Sequence, residues 1–267
     1  MKAIIVAAGR GRRLGPETAE IPKCMVEVGG RPILHRQLEA LAAAGADEIV
    51  VVRGYLGERI AAPAGALPSR LRFIENPEWE RNNILASLMY AEGEMEGGFL
   101  FTYSDIVFAT EHVRRLSSSS ASSPPVTLVV DRRWSDAYLG RIQHPVSEAE
   151  LVKVTETTVG PRIDRVGKRV VSRGETAGEF IGLARFSPDG ARALRQVWTD
   201  ALSHGLSHPF GQAASLNQAY LSDGLNEMAA RGIALVPLFI DGRWREIDTE
   251  EDLARAHPLV NGWDAGV

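Results

Sequence analysis

The chain has 267 residues, 45% of them hydrophobic and 24% charged, with 30 Lys+Arg against 34 Asp+Glu for a net charge of −4. Such a chain can bury a sizeable core without disulfides or metals, and its composition excludes wholesale disorder, collagen and coiled coil. No apolar run approaches the ~18–20 residues of a membrane span, and the acidic balance argues against nucleic acid as a partner. The apolar run after Lys2 stops at Gly9, too short for an export signal followed by a cleavage site. A cytoplasmic protein with no membrane contact, monomer or homodimer, is the expectation. Cys24 is the only cysteine, so a disulfide framework and a zinc–cysteine cluster are both out, and it reads as a small buried hydrophobe.

In chain order, residues 2–7 (KAIIVA) form a short buried strand that runs straight into glycine-containing sequence. Residues 32–44 carry apolar positions at helical spacing, closed by Gly45, and residues 47–52 make a second strand. This β–loop–α–β start is the mark of a parallel sheet with crossover helices. Strands are expected at 71–75, 98–103, 126–131, 180–186, 233–238 and 244–247. Helices are expected at 82–92, 110–116, 188–203, 215–231 and 249–257. The serine-rich stretch 117–125 reads as a solvated loop. Residues 132–178 look like an inserted flap that lacks core-forming apolar density. The strands outnumber a uniform βαβ series, so a mixed sheet is expected.

The loop after the first strand reads AAGRGRRLGPETAEIPK. Gly9 and Gly11 remove side chains where backbone would approach a ligand, and their N–H groups can nest phosphate oxygens. Arg12 and Arg13 add positive charge. Lys occurs only at Lys2, Lys23, Lys153 and Lys168, which singles out Lys23 after Pro22. A Walker loop requires Lys-Ser or Lys-Thr, and neither is present; a dinucleotide fingerprint requires a sixth-position glycine where this chain has Leu14.

The stretch resembles the G-x-G-x-R-L-x-P-x-T-x-x-x-P-K signature of the nucleoside-diphosphate-sugar pyrophosphorylase superfamily of nucleotidyltransferases. Gly9, Gly11, Arg13, Leu14, Pro16, Thr18, Pro22 and Lys23 fall in register, while Arg12 stands where many members have Thr or Ser. Ser104-Asp105 is similar to the superfamily's first metal-binding Asp, and Arg245-Glu246-Ile247-Asp248 to its second. The Asn82-Asn83-Ile84-Leu85-Ala86-Ser87 and Gly178-Glu179-Phe180-Ile181-Gly182 segments resemble the choline-phosphate and phosphonate cytidylyltransferase branch.

The resemblance implies an α/β fold: one Rossmann-like, GT-A-like domain over 1–257, with a mixed central sheet, the flap at about 132–178 and a tail at 258–267. It implies transfer of CMP from CTP to a small phosphate or phosphonate acceptor, phosphocholine-like or a hydroxyethyl- or aminoethylphosphonate, with Mg²⁺ as cofactor and pyrophosphate leaving. Lys23 and Arg13 are the expected catalytic residues. Ala7, Ala8, Gly9, Gly11, Arg12, Asn83, Ser87, Tyr103 and Ser104 are expected around the nucleotide, with the Asn83 amide on the pyrimidine edge. Asp131, Tyr138, Arg141, Glu179 and Gly182 are expected around the acceptor, with residues 132–141 closing over it. An acidic Glu179 facing aromatic rings would suit a cationic head, whereas Arg132, Arg133 or Arg141 would suit extra anion; the arginines tilt the expectation slightly to phosphonate. Asp105 and Asp248 are expected to share the metal and to repel each other without it, so that removing either raises the melting temperature.

Other readings stand beside these. Asp105 could cap the turn after its strand, Asp248 could serve the N-terminus of the next helix, and Asn82 and Asn83 suit N-caps. Glu179 could be an ordinary strand-edge carboxylate. His35, His144 and His208 show no metal-like spacing and are given no role. A sugar-1-phosphate nucleotidyltransferase and an inactive nucleotide-binding regulatory module are the alternative functions. A GT-A glycosyltransferase would need Asp-x-Asp where this chain has Tyr103-Ser104-Asp105.

Overall fold

The computed structural model describes residues 1–63, 67, 69–118 and 124–263. Parts of the expected serine-rich loop (119–123) and of the expected tail (264–267) lie outside the described residues. β1 (Lys2–Ala7) leads through the glycine loop and a small hairpin, β2 (Glu27–Val28) and β3 (Arg31–Pro32), into α1 (Ile33–Ala43). β4 (Glu48–Arg53), β5 (Arg70–Glu75), α2 (Ile84–Met89) and β6 (Phe99–Tyr103) follow. β1 lies between β4 and β6, parallel to both, and β5 extends the sheet beyond β4. Side chains alternate across a strand, so a strand buried on both faces reads as one unbroken apolar run. Thus Ile4 and Val6 enter the core under α2, while Ala3, Ile5 and Ala7 enter the one under α1.

The second half makes the sheet mixed. β7 (Ile106–Phe108) and α3 (Thr110–Ser117) precede β8 (Val126–Asp131), α4 (Trp134–Tyr138), the hairpin β9 (Glu150–Thr157) and β10 (Gly160–Lys168), and β11 (Gly178–Phe186). β11 is antiparallel to β6, β8 and β9. The described chain closes with α5 (Pro188–Leu202), α6 (Leu221–Ala230), β12 (Leu235–Ile240), β13 (Trp244–Glu246) and α7 (Glu250–Val260). Among the described residues no helix is long and apolar enough to cross a membrane.

Residues 132–178 are more ordered than a flap. Their hairpin widens the main sheet, where Val152, Ile163 and Val166 join the principal core. Trp134, Tyr138, Ala149, Leu151 and Val171 pack into a small cluster beside it. The apolar density reads as low because only the inward positions of an edge hairpin are apolar. The helix expected over 215–231 is split by a second local rule. Tyr220 opens α6 as its N-cap, and its backbone N–H is taken by Asp223, leaving a separate 3₁₀ turn at Leu216–Gln218.

Candidate active site

The glycine loop folds back over its own end. Gly11 adopts φ 67°, and a Cβ there would come within 2.8 Å of the Lys23 stem, so only glycine lets the loop lie against that lysine. Thr18 Oγ1 donates to the Gly11 carbonyl at 3.0 Å and fixes the return. Lys23, 7% exposed, then donates to Asp105 Oδ2 at 2.8 Å and to Asp248 Oδ1. Arg13 Nη2 reaches Asp248 Oδ2 at 2.5 Å.

Each carboxylate is presented by a strand end. Asp105 sits in the turn between β6 and β7. Gln37 of α1, itself buried, donates from Nε2 to the carbonyls of Tyr103 and Ile106, both at 2.7 Å, and so clamps the two shoulders of that turn. Asp105 is not the cap of its own turn: Oδ2 takes Lys23, and Oδ1 is buried with no hydrogen-bond partner. β13 pairs with β7, and the Ile247 N–H donates to the Asp105 carbonyl at 2.8 Å, which brings Asp248 alongside. Asp248 does not cap α7 either, because Thr249 and Asp252 form that helix's capping box.

The electrostatics follow from this crowding. Burial alone would raise the Asp248 carboxyl, but Lys23 and Arg13 outweigh it and hold the group below its usual range. Burial would lower Lys23, and the two carboxylates reverse that and hold it above its ordinary value. Glu246 is pushed well up, by burial first and then by Asp248 and Asp105. Two carboxylates from separate strands, one with an unpaired buried oxygen, are the hard oxygen donors that Mg²⁺ prefers. The residues therefore fit that ion, with Lys23 already supplying positive charge between them.

These groups line a cavity of about 360 Å³. Gly9, Gly11, Arg12, Arg13 and Lys23 form one end, and Arg12 carries no ion pair among the described residues. Asn83, Tyr103, Ser104 and Glu179 also reach the wall. Ala7 and Ala8 are buried beneath the loop, and the Ala8 carbonyl is taken by the Tyr55 N–H. Asn83 is the N-cap of α2: its Oδ1 accepts from the Ile84 N–H at 2.9 Å and its Nδ2 donates to the Gln218 carbonyl at 3.1 Å. Its amide is committed to the fold and is not held out to a base edge. Ser87 is off the wall, enclosed in a network with Asn76 and Asn82. Gly182 serves packing, since at φ 83° a Cβ would sit 2.3 Å from the Tyr103 ring.

Besides Gly182, three more residues expected at the acceptor do not line the cavity. Asp131 is buried and accepts from Trp244 Nε1 at 2.7 Å and from the Arg133 and Gly242 N–H groups, locking the end of β8 to β13. Tyr138 donates to Glu179 Oε1 at 2.8 Å, and Arg141 is paired with Asp252 at 2.5 Å. Residues 132–141 do not close over a ligand, because they are stitched to α7. The Ile142 and Gln143 N–H groups donate to Glu251, and Arg255 donates to the Leu139 carbonyl.

Sequence reasoning missed His144 and Glu150. His144 is fully buried; Arg141 Nη2 donates to its Nδ1 at 2.7 Å, and it lies 3.4 Å from both Asp252 Oδ2 and Glu246 Oε2. Only its position three residues after Arg141 hinted at this. Glu150 lines the cavity, receives the Tyr103 hydroxyl at 3.3 Å, and is pushed up to about 7 by burial. Its place at the start of a hairpin strand carried no motif.

The chain matches the model of the MobA-like NTP transferase domain over residues 3–179. It is 29% identical over 261 residues to the CTP:phosphoglutamine cytidylyltransferase of Campylobacter jejuni, covering 95% of this chain and 98% of that protein. It is 36% identical over 200 residues to the 2-aminoethylphosphonate cytidylyltransferase of Lancefieldella rimae, covering 74% and 72%. Among solved structures, the inositol-1-phosphate CTP transferase from T. maritima superposes with a TM-score of 0.74 at 23% identity, covering 100% of this chain and 97% of that one.

Proposed function

We propose, from the premise that this chain belongs to the MobA-like NTP transferase domain family, that it is a Mg²⁺-dependent cytidylyltransferase. It transfers CMP from CTP to a small phosphate or phosphonate acceptor. The observation that carries the reading is the convergence of Lys23, Arg13, Asp105 and Asp248 on one cavity mouth beside the glycine loop. The named activity of the Campylobacter jejuni relative, matched along almost its whole length, supports the choice of CTP.

Nucleotidyl transfer depends on charge neutralisation and in-line placement more than on covalent catalysis. An oxygen of the acceptor's phosphate or phosphonate forms a bond to the α-phosphorus of CTP. The bond to the bridging β-phosphate oxygen breaks, pyrophosphate leaves with its electron pair, and the α-phosphorus inverts. The N–H groups of the Gly9–Gly11 loop and the free Arg12 guanidinium hold the triphosphate. Lys23 is placed to neutralise the acceptor oxygens and the α-phosphate, and Arg13 to keep Asp248 ionised and oriented. Asp105 and Asp248 would hold Mg²⁺, which supplies Lewis-acid stabilisation of the phosphate oxygens.

Pyrophosphate release assayed with each of the four NTPs tests the reading. CTP is expected to exceed UTP by at least ~10² in kcat/KM, because a hydrogen-bonding site leaves buried groups unpaired with the wrong base. A preference for UTP or ATP overturns the cytidylyl assignment and spares the family.

Gln37 is a positioning residue for Asp105. Gln37→Met is expected to raise the Mg²⁺ concentration for half-maximal rate by ~10–100-fold, the usual cost of losing a group that orients a metal ligand. KM for CTP should change far less. A loss of rate that saturating Mg²⁺ does not recover shows that Gln37 only supports the fold.

A further inference from the structure

The inner end of the cavity is built differently from its mouth. Glu179 on β11 is 3% exposed and lines the wall. Its Oε1 takes the Tyr138 hydroxyl at 2.8 Å, while its Oε2 is buried with no hydrogen-bond partner. A buried carboxylate oxygen without a donor is costly and calls for one. Glu150 lines the same wall, and its like charge adds to the burial and to Asp131 in raising Glu179. The cation at this end, Lys168, is held by Glu148 at 3.2 Å and lies over the Tyr220 ring. The arginines of residues 132–141 are engaged elsewhere: Arg132 with Asp241, Arg133 with Asp136, Arg141 with Asp252. They offer nothing to a second anion.

We propose that this inner wall selects an acceptor whose phosphate or phosphonate bears a primary ammonium head, with Glu179 Oε2 as the atom that accepts its N–H. The inference rests on the nucleotidyl-transfer reading and adds the head-group chemistry to it. The cavity is then complementary to a zwitterion, its basic mouth taking phosphate and its acidic inner end taking the amine. A trimethylammonium head carries the charge but has no N–H to give to Oε2. The aromatic surface it would need is also largely spent. Trp244 is 4% exposed and donates its indole N–H to Asp131, Phe180 is buried, and the Tyr103 hydroxyl is aimed at Glu150. A hydroxyl head can donate once but leaves the carboxyls without a counter-charge.

The test compares kcat/KM for 2-aminoethylphosphonate, 2-hydroxyethylphosphonate and phosphocholine with CTP, in the wild type and in Glu179→Gln. In the wild type the amine is expected to lead both others by at least ~10-fold, the scale of one hydrogen bond to a charged group. In Glu179→Gln the amine should lose ~10–100-fold, mainly through KM, while 2-hydroxyethylphosphonate changes little. Burial pushes the Glu179 carboxyl up to about 8, so ionising it costs the folded state above the ordinary carboxyl range. Glu179→Gln removes that cost, and its melting temperature at pH 8 should match or exceed the wild type's. Phosphocholine or the hydroxyl acceptor equalling the amine overturns the proposal, as does a Glu179→Gln loss shared by all three acceptors. Turnover of the panel without amine preference leaves the transfer reading standing; no pyrophosphate release from any NTP with any acceptor overturns both.

Discussion

Asp248→Asn is expected to lower kcat by at least ~10³, since a metal's Lewis-acid contribution is several kcal/mol and each ~1.4 kcal/mol is tenfold. The substitution keeps the side chain's shape, so a rate loss at unchanged fold isolates the charge. Under the proposed reading Asp105→Asn is expected to behave alike, because its Oδ1 is buried with no hydrogen-bond partner and is the oxygen left over for an ion. The expectation that removing either acid relieves repulsion and raises the melting temperature does not fit the structure. Lys23 stands between the two carboxylates and Arg13 closes on Asp248. Removing Asp248 therefore breaks a buried ion pair, which destabilises rather than relieves. Kinetics across a Mg²⁺ titration and a melting curve decide both points. Full activity at low Mg²⁺ in either variant removes that residue as a ligand.

Lys23→Ala should cost ~10²–10³ in kcat, the usual effect of losing one contact to a transition-state oxyanion. It also leaves Asp105 without its cation and Asp248 with Arg13 alone, a loss of up to about 3–5 kcal/mol, the scale of breaking a buried pair. Magnesium should restore much of that stability, because an ion that binds only the folded state stabilises it by mass action. The melting temperature of Lys23→Ala should thus rise with Mg²⁺ more steeply than the wild type's. A variant with near-normal kcat/KM removes Lys23 from the chemistry. A variant whose stability ignores Mg²⁺ removes the shared site.

The glycine loop was legible because fixed spacing within fifteen consecutive residues, Gly9 to Lys23, needs no knowledge of the rest of the chain. The parallel half was legible because doubly buried strands such as β1 and β4 read as unbroken apolar runs. What stayed hidden is partner choice between distant segments. Local sequence does not say that Arg141 will meet Asp252, that Asp131 will take the Trp244 indole, or that His144 will be enclosed by Arg141, Glu246 and Asp252. Those pairings are decided by topology. Asn83 shows the converse: its N-cap signal is local and short-range, and in the structure the cap prevails over a reading role. Glu179 belongs to the family-like segment, yet its unpaired oxygen depends on Tyr138 reaching only its neighbour.

The pairing of β13 with β7 sets an order on the making of this protein. The loop, Lys23 and Asp105 all belong to the first part of the chain, and Asp248 arrives only with β13. On the ribosome, most of the main sheet is available before Asp248 has been synthesised. A nascent chain at that stage lacks Trp244 and Glu246 of the cavity wall as well as the acid that completes the mouth. A chain stopped short of β13 lacks Asp248 and also the buried Trp244, Ile247, Leu253, Ala256 and Val260, so the same last segment that completes the acid pair also closes the core around it.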